Sequence, residues 1–122
     1  MTDPGSVMAK LDTLAAELDT RSKELAEVER QAEPAEALYE EFVGDWESSL
    51  WEECSLSDTK WPPEKLRTRM AHKAMPREIL GNFNALGARR KRLEKRIGSL
   101  KVQVDAQRSI LSALKAEAEA SR

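Results

Sequence analysis

The sequence predicts an all-α fold: an elongated, coiled-coil-like antiparallel helical hairpin with a short helix at its tip, expected to pair into a helical-bundle dimer. Three observations lead there. Apolar residues recur at alternating spacings of three and four through two long stretches. A segment of small polar residues and prolines separates the two stretches. The two halves of the chain also carry opposite charge.

The first stretch opens with Asp3 and Pro4, a suitable N-cap and first-turn pair. Leu11, Leu14, Leu18, Leu25, Val28, Ala32, Ala35, Phe42 and Trp46 then hold one a/d track, with Arg21 and Tyr39 at intervening track positions. Glu17–Arg21 and Asp19–Lys23 are i,i+4 pairs in the favourable orientation. Pro34 interrupts the run without shifting the track, which predicts a kink, or a break and fresh start, within a long helix over about residues 4–54.

Residues 55–62 form the predicted loop. Pro63 suits the first turn of a short helix over 63–75, and Pro76 should end that helix by pushing the residue before it out of the α region. A second long helix is predicted over 76–120. Its track runs through Ile79, Phe83, Leu86, Leu93, Ile97, Leu100, Val104, Leu111 and Leu114, with Arg90 and Gln107 as polar interruptions. Residues 1–122 thus form one domain. Placing Glu53 opposite Arg77 makes facing residue numbers sum to about 130 and sets Ala32 against Gly98, where the small residues would permit close approach.

Charge follows the same division. Residues 1–60 carry 16 acidic and 5 basic side chains, and residues 61–122 carry 6 acidic and 15 basic. The stretch 31–59 holds nine carboxylates and no Lys or Arg, whereas 65–101 holds twelve Lys or Arg. Folding one half onto the other neutralises both and helps to set orientation and register. A two-helix hairpin buries little surface per residue, so a homodimer is expected.

The start of the chain lacks the basic-then-apolar pattern of a secretion signal, and no run is long enough to span a membrane. With Cys54 as the lone cysteine, a reducing cytoplasm is the expected location. His72 and Cys54 have no ligand or nucleophile pattern around them, so no catalytic residue, metal or cofactor is expected and no small-molecule substrate.

Two clusters remain. Tyr39, Phe42, Trp46, Trp51 and Trp61 lie close together beside the loop, either as a small tip core with Leu66, Met70 and Met75 or as a docking patch for another protein. Arg89, Arg90, Lys91, Arg92, Lys95 and Arg96 place six cations in eight residues, which suits either internal pairing with the acidic half or nucleic-acid phosphates. Asn82, Ala85, Arg89 and Arg90 superficially resemble the spacing of a basic leucine-zipper segment. Gly81, Phe83, Gly87 and Gln107 depart from that pattern, and the resemblance is set aside.

The leading reading is therefore a non-catalytic protein–protein interaction or assembly module, with Trp51 and Trp61 as its contact residues. The alternative is a nucleic-acid-binding accessory protein using Arg89 to Arg96. An acidic nucleic-acid mimic and a scaffold component rank below these.

Overall fold

The computed structural model describes residues 3–121. Met1 and Thr2, part of the start read as lacking a signal, lie outside the described residues together with Arg122. The fold is all-α, with α1 at Pro4–Ser57, α2 at Glu64–Ala74 and α3 at Arg77–Ala120. The long helices α1 and α3 pack antiparallel as a hairpin, with α2 between them in sequence. No helix among the described residues is long and apolar enough to cross a membrane.

Local chemistry sets each helix end. The Asp3 carbonyl accepts the first backbone bond of α1, from the Val7 N–H at 3.1 Å, and Pro4 fills the first helical position where an N–H would go unused. α1 is continuous through Pro34, whose missing N–H deprives the Arg30 carbonyl of its usual helical donor. Burial of Val28 and Ala32 just upstream holds this stretch in place.

At its far end α1 runs on through Ser55, Leu56 and Ser57, which the sequence pattern assigned to the loop. The Ser57 hydroxyl donates to the Glu53 carbonyl at 2.7 Å, so these small polar residues serve the last turn. The helix then stops in a Schellman arrangement: Asp58 is left-handed (φ 53°) and the Thr59 N–H donates to the Cys54 carbonyl at 2.9 Å.

Pro63 precedes α2 as its N-cap rather than lying in its first turn, and its carbonyl accepts from the Arg67 N–H at 3.0 Å. Met75 is extended (φ −70°, ψ 137°), as a residue before proline must be. The Pro76 carbonyl then accepts the first bonds of α3, from Ile79 at 3.1 Å and Leu80 at 3.2 Å.

The chain forms two compact units. One joins the start of α1, through Val28, to α3 from Arg89 onward; the other comprises residues 29–88. In the first unit Leu14, Leu100 and Val104 form a core against which Leu11 and Leu18 pack. Val7, Val28, Leu93 and Ile97 are also buried there. In the second unit the buried residues are Ala32, Ala71 and Met75, and Tyr39 stacks on Phe83 with ring centroids 3.9 Å apart. The exposed large apolar residues Met8, Leu38, Trp51, Leu56, Leu66, Val102 and Ile110 all fall off the a/d track. The named apolar track residues of both helices are therefore buried or half-buried, and the large exposed ones lie elsewhere.

The register differs from the one the sequence suggested. An offset summing to about 130 would set Leu14 against a residue near 116, yet Leu14 packs with Leu100 and Glu17 pairs with Arg96. The second unit has its own pairing. There the linker and α2 meet the last turns of α1, Trp61 against Trp51 and Arg67 beside Glu47. The expected close approach at Gly98 does not occur: Gly98 is exposed, and a Cβ built there meets nothing within 4 Å. With room for a methyl group and a mid-helix position, Gly98→Ala should raise stability by about 1 kcal/mol. Urea unfolding checks this, and any loss of stability would mean that the helices do approach there.

Charge pairing extends beyond the two runs. The acidic run 36–53 does meet 77–94 where Tyr39 stacks on Phe83, while α1 also pairs with α3 at Glu17–Arg96, outside both runs, and Glu47 meets Arg67 of α2. Such part-exposed pairs contribute about 0–1 kcal/mol each, so their main effect is on register.

Candidate functional site

The tip aromatics fall into two groups. Trp51, on the penultimate turns of α1, is 60% exposed and meets Trp61 of the linker edge to face, with centroids 5.2 Å apart and planes at 74°. Trp61 is half-buried because Arg67 of α2 lies over its ring, 4.9 Å from the centroid. Three contacts fix that guanidinium. It stacks on Trp61, its Nη1 donates to the Pro62 carbonyl at 2.7 Å, and its Nε lies 3.7 Å from Glu47 Oε1. The Nε is buried and has no hydrogen-bond partner among the described residues, so Glu47 acts on it through charge.

The Trp51–Trp61 pair makes a ridge between two open depressions. One, of about 480 Å³, is completed by Gly44, Glu47 and Ser48. The other, of about 210 Å³, is completed by Cys54, Ser55, Asp58 and Thr59. Each depression has a carboxylate on its wall, Glu47 or Asp58.

Tyr39 belongs elsewhere. It is half-buried, stacked on Phe83, and its hydroxyl is 2.7 Å from Nε2 of His72. Which atom donates depends on the imidazole tautomer. This Phe83–Tyr39–His72 column draws one ring from each of the three helices and serves packing within its unit. The sequence pattern puts Phe83 on the α3 track and gives His72 no ligand or nucleophile neighbours, and nothing in their spacing links either to position 39. Phe42 and Trp46 are half-buried on the α1 track. Leu66 is 46% exposed, whereas Met75 is buried, so the short helix contributes only part of the tip core expected of it.

In the other unit the basic stretch also divides. Arg89, Arg92 and Arg96 line an open groove of about 360 Å³ together with Arg21 of α1 and the buried Leu93. Arg96 donates from Nε and Nη2 to Glu17 Oε1 at 3.0 and 2.6 Å, and Arg21 Nη1 donates to Glu24 at 2.8 Å. Lys91 and Lys95 are exposed and do not line this groove, and Arg90 is half-buried and partnered. Arg21 is the member that sequence reading missed. The available signal was an arginine on an apolar track, a position where a charge must reach out to carboxylates or solvent.

Among the described residues no group of His, Cys, Asp or Glu is arranged to hold a metal ion. Cys54 is a half-buried free thiol in the wall of the smaller tip depression. Comparison with protein-family models, with curated proteins and with solved structures finds no match to this chain.

Proposed function

We propose that this chain is a non-catalytic interaction module that docks a segment of another protein on the Trp51–Trp61 ridge, the segment presenting Arg or Lys beside an apolar side chain. The carrying observation is Trp51, 60% exposed on a firm support yet flanked by two depressions with carboxylate walls. Large aromatics held in place and edged by polar groups are what partner proteins use as anchors. A cation from the partner can lie over the open face of Trp51 as Arg67 lies over Trp61.

Asp58 supports the same chemistry. A left-handed residue closing a helix is best served by Gly, and a carboxylate at a helix C-terminus opposes the macrodipole. Asp58 is thus a poor choice for stability and a good one for attracting a cation to the smaller depression. Dimerisation belongs to the same reading: Met8, Val102 and Ile110 leave apolar surface uncovered in the other unit. Sedimentation that shows only monomer at tens of micromolar rejects the dimer without touching the ridge.

Two variants test the ridge. Trp51→Ala should leave helicity and melting nearly unchanged while abolishing capture of Arg/Leu-rich amphipathic peptides and of cellular partners. Asp58→Gly should stabilise the fold by about 1 kcal/mol and yet weaken capture. If both variants capture as well as the parent chain, the ridge is not the docking site. If Trp51→Ala unfolds the chain, the ridge is core.

A further inference from the structure

We infer that the groove lined by Arg21, Arg89, Arg92 and Arg96 binds the phosphate backbone of a nucleic-acid duplex, independently of the tip. Arg89, Arg92 and Arg96 stand at i, i+3 and i+7 on α3, and Arg21 joins them from α1. Along the helix axis the three span roughly 10 Å, about three phosphate steps of one strand. Two carboxylates of α1, outside the groove lining, hold guanidiniums in place without neutralising the whole site. Glu17 takes Arg96 at 2.6 Å and lies 3.9 Å from Arg21, and Glu24 takes Arg21 at 2.8 Å. Arg89 and Arg92 carry no ion pair among the described residues. The groove therefore keeps two guanidiniums free to fork onto phosphate oxygens, beside two that are already oriented.

Lining chemistry selects the ligand class. No aromatic ring lines the groove, so unstacked bases of a single strand have no platform. The groove is open along its length, which does not suit a small phosphorylated ligand that must be largely enclosed. Protein anchors of the Trp or Tyr kind are absent from its lining, where Leu93 is the sole apolar member. Regularly spaced guanidiniums beside exposed Lys91 and Lys95 match a duplex backbone, read without regard to sequence.

Anisotropy of a labelled duplex of about 20 base pairs with the full chain, titrated from low to moderate salt, tests this. The expected result is binding whose log K falls with log[salt] at a slope of about −3 to −4, four groove arginines meeting as many phosphates. Arg89→Gln with Arg92→Gln should remove about two from that slope and weaken binding at least tenfold. Lys91→Gln with Lys95→Gln removes the same charge outside the groove lining and should weaken it less. All four side chains are exposed, and circular dichroism confirms that each double variant stays helical. Absence of duplex binding at low salt, equal losses from the two double variants, or tighter binding of a single strand overturns the assignment. So does a chain that ignores duplex but changes from dimer to monomer when Arg89 and Arg92 are replaced, which would make the groove an interface for the acidic segment of a second copy. Trp51→Ala should leave duplex binding unchanged.

Discussion

Leu100→Ala should lower the stability of this protein by about 2–5 kcal/mol, a large part of what a domain of this size has. Leu100 has no exposed surface and is one of only two large side chains fully buried among the described residues, with Val28. It sits at the centre of the cluster with Leu14 and Val104, flanked by Leu11 and Leu18. Removing its side chain loses the transfer free energy of those atoms and leaves a cavity. The helix backbones on either side cannot collapse into that space without breaking register. Thermal or urea unfolding measures the loss directly, and Val102→Ala on the same helix is the control. Val102 is 69% exposed, so its truncation should change stability by less than about 0.5 kcal/mol. Equal effects at 100 and 102 would mean that the helix face is misassigned.

Tyr39→Ala is expected to be the corresponding lesion of the second unit, at about 2–4 kcal/mol. It removes a stacked ring at 3.9 Å from Phe83, worth about 0.5–1.5 kcal/mol beyond area burial, and a hydrogen bond to His72 worth about as much again. The lost burial of the half-covered ring accounts for the rest. Tyr39→Phe separates these contributions, since it keeps the stack and leaves only His72 without its partner; about 1 kcal/mol is expected. Amide exchange should rise chiefly within residues 29–88 for Tyr39→Ala, and chiefly in the Leu14–Leu100 region for Leu100→Ala. A rise spread evenly over the chain in both variants would show that the two units open as one.

Periodicity made the fold readable. The a/d track named the faces that are buried, and every large exposed apolar residue lies off it. Proline chemistry located the α2–α3 junction, because Pro76 acts on its own neighbour and needs no tertiary information. Register was not readable, for the opposite reason. It depends on which residues meet across the helices, and heptad spacing alone allows the same track to pair at several offsets. The end of α1 was missed because Ser57 bonds back to its own helix and Asp58 adopts a conformation that glycine would have signalled.

The two residue clusters were legible as clusters and not by membership. Trp51 and Trp61 stand together as the clustering of aromatics suggested, but Tyr39 left that group for Phe83, forty-odd residues away in sequence. The basic run was visible as a run. Its division into groove-lining Arg89, Arg92 and Arg96 against Lys91 and Lys95 follows from helical phase, which the sequence contains. The arrival of Arg21 follows from register, which it does not.

The register also bears on how the chain finds its native state. Glu17 and Arg96 are separated by 79 positions, so forming their contact from an open coil closes a long loop, at an entropic cost of about 4 kcal/mol before anything is gained. Tyr39 and His72 are separated by 33 positions, and a contact of that span closes more cheaply and sooner. The tip column is thus placed to nucleate, with the remaining helix pairing zipping outward from it toward the chain ends. In stopped-flow mixing, Tyr39→Ala should then slow refolding, while Leu100→Ala mainly speeds unfolding. The reverse pattern would put the nucleus at the far end of the hairpin.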